Sequence, residues 1–321
     1  MPYNKRGGFF MRFRLLSLAI GCAVSGFALA QSIDPFYSGD YSFTDLGSVA
    51  GVPSNYGGLT LLAGNPNKLL LGGSANNAAG MLYVVDVVRD VDGHIVGFSG
   101  PATPYADAPY NDGGVTYGPN GVLYASRWPV NELGMYLPGS TTPDKVVDLA
   151  ALGVAQSHSA LVWGPGARPY TNRLKLSSWS GGQFYDATYT FDAFGMVDIL
   201  SVTQTATLTG GPEGIVYVPY GSPLFGDSML VAEYSAGNIA SYDVDANGDP
   251  IVATRKTFMS GLTGAEGAFV DELTGDFLFS TFGGGDRIIR VSGFAAIPEP
   301  ATMIGLGLGF AALASRRRKN R

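Results

Sequence analysis

The sequence predicts an all-β chain folded as a β-propeller of five blades, or six if one blade has diverged. Three observations carry this expectation. The composition is rich in turn formers, with 46 glycines and 19 prolines, and 12% of residues are aromatic. Such a chain folds around a core through many tight turns rather than long helices. Second, one short motif recurs five times at a spacing of about 45–55 residues, within the range of propeller blades. Third, each copy is followed by further short β-rich runs bounded by Gly, Pro and Asn.

The motif is a small or acidic residue, a small residue, then apolar or aromatic residues. It reads Gly57-Gly58-Leu59-Thr60-Leu61, Gly113-Gly114-Val115-Thr116-Tyr117 and Ser159-Ala160-Leu161-Val162-Trp163. It returns as Glu213-Gly214-Ile215-Val216-Tyr217 and Glu266-Gly267-Ala268-Phe269-Val270. Second runs are expected at 68–71, 122–126, 173–177, 228–232 and 276–280, and third runs at 81–86, 133–137, 183–191, 237–243 and 286–291. A fourth run follows at 95–98, 145–149, 199–208 and 251–258. The fifth repeat has none, while the strand-like stretch 41–49 precedes the first motif with no blade of its own. The simplest geometry uses that stretch to complete the last blade, which closes the ring and covers its sheet edges.

Charge narrows the function classes. Nine of the 20 basic residues lie in the two chain ends, leaving 11 in the body against 25 of the 26 acidic residues, about −14. A body so acidic excludes nucleic acid as a partner, because that binding needs clustered Lys and Arg. It suits an extracellular domain and cation binding. The one cysteine, Cys22, lies near the N-terminus, so the body has no thiolate metal site or disulfide. The two histidines, His94 and His158, are too few for a multi-histidine centre.

Two sets of residues are candidates for cation chemistry. In a propeller the innermost strands line the axis, so their starts converge; aligning the motifs brings Asp112, His158, Glu213 and Glu266 to one mouth. Oxygen-rich side chains gathered there would hold Ca²⁺ or activate a water for hydrolysis, as in gluconolactonase-like propellers, which this chain resembles in architecture only. The alternative is that Glu213 and Glu266 cap turns or bond to neighbouring backbone. The second set is the turn Asp243-Val244-Asp245-Ala246-Asn247-Gly248-Asp249, where Asp243, Asp245, Asn247 and Asp249 alternate as in a calcium loop. Its twelfth position is Thr254 in place of the bidentate Glu, and similar turns at 91–94 and 192–195 read as hairpins. Trp128, Trp163 and Trp179 suit blade packing, or stacking on polysaccharide if exposed at a mouth.

The ends divide the chain into residues 1–30, 31–295 and 296–321. Arg12 and Arg14 precede the apolar run Leu15 to Leu29, and Ala28-Leu29-Ala30 offers the small residues that signal peptidase reads. Cleavage between Ala30 and Gln31 is the expectation. At the other end Pro298-Glu299-Pro300 is followed by the apolar run 301–314 and a basic tail, 315–321. A transmembrane helix of that length would be short, but the terminal Arg cluster would hold the tail in the cytoplasm and place the body on the far side.

This three-part pattern, with Ile297-Pro298-Glu299-Pro300 at its head, resembles the PEP-CTERM sorting signal of Gram-negative bacteria over about 25 residues. The resemblance implies that an exosortase recognises Pro298, Glu299 and Pro300 and removes the tail. It implies a transient anchor in the inner membrane, then delivery to the cell surface or extracellular matrix, in bacteria that make exopolysaccharide and biofilm. The resemblance says nothing about the activity of the body, which is expected to be a non-enzymatic binding or structural propeller in the extracellular matrix, with exopolysaccharide, protein or calcium as its ligand. A secreted metal-dependent hydrolase or lactonase of the same fold is the alternative.

Overall fold

In the computed structural model, which describes Met1 and residues 30–297, the chain forms five antiparallel sheets around one axis. The expected signal peptide, the PEP residues 298–300 and the helix 301–314 lie outside the described residues. Among the described residues no helix is long and apolar enough to cross a membrane.

Two N-terminal strands come first, β1 (Ser32–Ile33) and β2 (Ser42–Gly47). Blade 1 is β3 (Leu59–Leu62), β4 (Asn65–Gly73), β5 (Met81–Arg89) and β6 (Ile95–Asp107). Blade 2 is β7 (Asn111–Tyr117), β8 (Leu123–Arg127), β9 (Glu132–Tyr136) and β10 (Lys145–Asp148). Blade 3 is β11 (His158–Trp163), β12 (Leu174–Ser178), β13 (Gln183–Phe191) and β14 (Val197–Thr207). Blade 4 is β15 (Pro212–Tyr217), β16 (Ser228–Glu233), β17 (Asn238–Asp243) and β18 (Lys256–Ser260). Blade 5 contributes β19 (Ala265–Val270), β20 (Phe277–Thr281) and β21 (Ile288–Ser292).

The repeats align in register. Leu59 pairs with Leu71, Val115 with Ala125, Leu161 with Leu176, Ile215 with Val231, and Ala268 with Phe279. Each motif is therefore the innermost strand of its blade. Blade 5 takes its fourth strand from the N-terminus, where β2 pairs antiparallel with β21 from Ser42–Ser292 to Gly47–Ile288. This is the closure expected from the unpaired stretch 41–49.

Two details differ from expectation. In blade 4, residues 252–254 form a 3₁₀ turn and the strand starts only at Lys256. There the Ile251 N–H reaches back to Asp243 C=O and Thr254 Oγ1 accepts from the Asp243 N–H, which withdraws these groups from a ladder. Also, β1 adds a fifth strand to blade 4, with Ser32 opposite Ser260 and Ile33 opposite Met259. The two-residue strand is too short for a periodic signal, yet it ties the N-terminus to one blade before the chain crosses to complete the next.

The core fills the seams between blades. Tyr37, Tyr41, Phe258, Phe277, Phe279 and Phe294 pack at the seam of blades 4 and 5, with Tyr37 stacked on Phe225 at 5.2 Å. Trp163 lies in the core of blades 2 and 3, edge-on to Tyr124 and Tyr189. Buried serines stitch neighbouring blades together near the axis. Ser126 Oγ donates to Ser159 C=O at 2.7 Å, Ser159 Oγ to Pro212 C=O at 2.6 Å, and Ser280 Oγ to Gly57 C=O at 2.6 Å. The last of these joins the fifth blade to the first. On the outer part of that seam Arg89 pairs with Asp271 at 2.5 Å and His94 Nδ1 lies 2.7 Å from Asp276.

A buried carboxylate trio on the axis as candidate functional site

The innermost strands approach closely because their second motif position is Gly or Ala. A Cβ on Gly267 would lie 2.5 Å from Gly58 Cα, and one on Gly58 would lie 2.6 Å from Val115 N. Neither position has room for a side chain, so backbone packs on backbone around the axis. The Gly58 N–H donates to Asp112 C=O at 2.7 Å, which pins the start of β7 to blade 1.

At this end Asp112, Glu213 and Glu266 converge, each offering an oxygen within 4.8 Å of those of the other two. They are 1%, 5% and 1% exposed. Asp112 Oδ2, Glu213 Oε2 and Glu266 Oε1 face one another with no hydrogen-bond donor from outside the trio. The Asn76 amide, oriented so that its nitrogen donates, reaches Asp112 Oδ1 at 2.9 Å. Burial pushes the Asp112 carboxyl up to about 7, against hydrogen bonds that favour its charged form. Burial, then the charges of Asp112 and Glu266, hold Glu213 well above the usual carboxylate range. Burial and the charge of Asp112 do the same to Glu266. Three carboxylates this close and this dry need protons or a cation between them.

His158, the fourth residue expected at this mouth, is not in the group. It is fully buried, its Nδ1 lies 3.2 Å from Ser177 C=O, and its backbone N–H donates to Asn131 Oδ1. Burial lowers its pKa to about 4, so it is neutral near pH 7. It occupies the motif position before Ser159, as Asp112 does before Gly113, whereas Glu213 and Glu266 hold the next position along. Side chains at successive positions of a strand point to opposite faces, so linear alignment alone does not decide which of them meet.

The acidic turn forms a hairpin closed by a bridge between Val244 and Pro250. Its polar side chains face separate protein partners. Asp245 Oδ1 accepts the N–H groups of Asn247 and Asp249, and Asp249 Oδ1 takes Lys175 Nζ at 2.6 Å. Asn247 Oδ1 accepts from Arg173, and Asp243 Oδ1 accepts from Ser228 Oγ. Among the described residues the axial trio is the one group of three or more His, Cys, Asp and Glu side chains spaced to share an ion.

Two neighbours of the trio were not singled out from the sequence. Asn76 lies in the connection from β4 to β5, where no chemistry-bearing motif marks it. Tyr234 has its hydroxyl pKa raised by burial, then by the charges of Glu266, Glu213 and Asp112. A signal for Tyr234 did exist, since Trp128, Trp179, Tyr234 and Phe282 all directly follow the second strand of their blades. Their N–H groups donate to the equivalent carbonyls of Tyr110, Ser157, Gly211 and Gly264. Trp179 and Tyr234 meet edge-on at 6.3 Å and Tyr234 and Phe282 at 6.0 Å, forming a half-buried arc.

Residues 296–319 match the PEP-CTERM protein-sorting motif. No curated protein matches the chain. Among solved structures the chain is similar to a luciferin-regenerating enzyme, at 14% identity and TM-score 0.46 over 77% of this chain and 82% of that one. It is also similar to the PQQ-bound aldose sugar dehydrogenase of Streptomyces coelicolor, at 15% identity and TM-score 0.41 over 77% and 83%. A third is virginiamycin B lyase of Staphylococcus aureus, at 13% identity and TM-score 0.38 over 78% and 99%. The chain thus joins a β-propeller body to a PEP-CTERM motif, which implies an exported protein with a transient membrane anchor and processing by an exosortase.

Proposed function

We propose that residues 31–295 are a non-enzymatic propeller ectodomain, freed from a signal peptide after Ala30 and from its C-terminal anchor at Pro298-Glu299-Pro300. The product is delivered to the cell surface or extracellular matrix of a Gram-negative cell, as a binding or structural module linked to exopolysaccharide or biofilm. The observation that carries the non-enzymatic reading is the sealing of the axis. Asp112, His158, Glu213 and Glu266 are the groups there suited to acid, base or metal-assisted chemistry, and all four are buried. A hydrolase must bring its substrate within hydrogen-bond reach of such groups, and here none of them is more than 5% exposed.

Intact-mass spectrometry of the protein from its native host tests the delivery. A mature chain beginning at Gln31 and ending near Pro298 is expected, and retention of Arg321 in the mature surface protein would overturn it. Lactone and ester substrates test the chemistry. Turnover that Glu213→Gln or Glu266→Gln abolishes would make the body an enzyme.

A further inference from the structure

We infer that Asp112, Glu213 and Glu266 form a site for a hard divalent cation, best matched by calcium, that ties blades 2, 4 and 5 together across the axis. Acidic side chains near one another are common, and proximity alone does not make a site. Here a second observation points inward. One oxygen of each residue has no hydrogen-bond donor outside the trio although the residues are at least 95% buried. Buried carboxylate oxygens are costly to leave unbonded, so such a set calls for an explanation.

The donors are all oxygen. Nitrogen is not offered by His158, which lies outside the group, nor by His94, which sits on Asp276. That chemistry favours calcium, magnesium or manganese over zinc or copper. With calcium–oxygen distances of about 2.3–2.6 Å, oxygens on opposite sides of the ion lie about 4.6–5.2 Å apart. The trio's mutual separations, all within 4.8 Å, fit around such an ion. Magnesium demands a tighter octahedron and keeps several waters.

The role of such an ion follows from where the ligands sit. They begin β7, β15 and β19, the inner strands of three blades, and more than fifty residues separate each from the next. An ion held there replaces mutual repulsion with a cross-link between segments remote in sequence. Asn76 holds the outer side of Asp112, steering its free oxygen toward the two glutamates.

The test uses the full chain, stripped with EDTA and then titrated with calcium, magnesium or manganese chloride. Binding only the folded state at a hundredfold excess over Kd corresponds to about 2.7 kcal/mol. For a chain of this size that is a rise in Tm of roughly 4–5 °C. Terbium luminescence, sensitised through Tyr234 and Trp179 and displaced by calcium, gives a second readout. The double variant Glu213→Gln, Glu266→Gln keeps side-chain shape and removes the repulsion. It is expected to fold in EDTA at least as stably as the wild type and to lose both responses. Should it fail to fold, Asp112→Asn is judged by the same two responses. A wild-type Tm insensitive to all three ions, or an equal rise in the variant, overturns the inference and leaves the trio as carboxyls sharing protons. The delivery reading is judged separately, by the masses of the processed chain.

Discussion

His158 allows a sharp test of how burial sets stability in this propeller. Its imidazole is fully buried and its pKa is lowered to about 4 from the ordinary 6.5. The folded state therefore keeps His158 neutral between those values, while the unfolded chain takes up a proton. Stability falls when the unfolded state binds more protons as pH drops, so this residue destabilises the fold progressively from about pH 6.5 down to about pH 4. Each pH unit of that gap corresponds to 1.36 kcal/mol, so the whole window is worth about 3 kcal/mol and the step from pH 7 to pH 5 about 2 kcal/mol. Replacing His158 with Gln retains a donor for Ser177 C=O and removes the titration. Urea unfolding of both proteins in EDTA at pH 7 and pH 5 measures the effect. The axial carboxyls have raised pKa values and act with the opposite sign over the same range, but both proteins contain them, so their contribution cancels in the comparison. Wild type should lose about 2 kcal/mol more than the variant between the two pH values. Equal losses would show that His158 is not held neutral by burial and would refute the reasoning.

Gly267→Val should abolish soluble expression or cost at least about 3 kcal/mol, because its Cβ meets Gly58 Cα. Gly97→Ala, where a Cβ meets open space, should stay within about 0.5 kcal/mol in a thermal melt. Arg89→Ala removes the ion-pair partner of Asp271, whose side chain is 1% exposed, and should cost about 3 kcal/mol by urea unfolding. A matched double variant Arg89→Ala, Asp271→Asn should recover part of that loss. Deleting residues 31–47 strips the outer strand from blade 5 and the extra strand from blade 4, leaving β21 and β18 as open edges. Light scattering should then show aggregation that the full chain does not.

Much of the fold was legible because a propeller is written as a local pattern repeated. Five motifs, each followed by short apolar runs, specify antiparallel blades, since each run needs only its sequence neighbour to form its ladder. The surplus stretch 41–49 pointed to closure by elimination: one repeat lacked an outer strand, and one strand lacked a repeat. The strand β1 was not legible, because two residues carry no periodicity and their pairing with Ser260 and Met259 is decided more than 200 residues away. In blade 4 the Thr254 hydroxyl and the Ile251 turn override a β-rich stretch, a competition between side-chain and ladder hydrogen bonds that composition does not reveal.

The candidate site divides along the same line. The sequence alone determined that acidic residues open the inner strands of blades 2, 4 and 5, that the body is acidic and free of cysteine, and that the chain ends in a sorting pattern. These are properties of residue identity and spacing. Only the tertiary structure decided that Asp112, Glu213 and Glu266 meet within 4.8 Å while His158 turns to Ser177, and that all four are enclosed. The direction of each side chain depends on its parity along the strand, on the irregular register at the strand starts, and on how closely glycine lets the five inner strands approach the axis. Those quantities exist only once the ring has closed, because each belongs to a pair of strands from different blades.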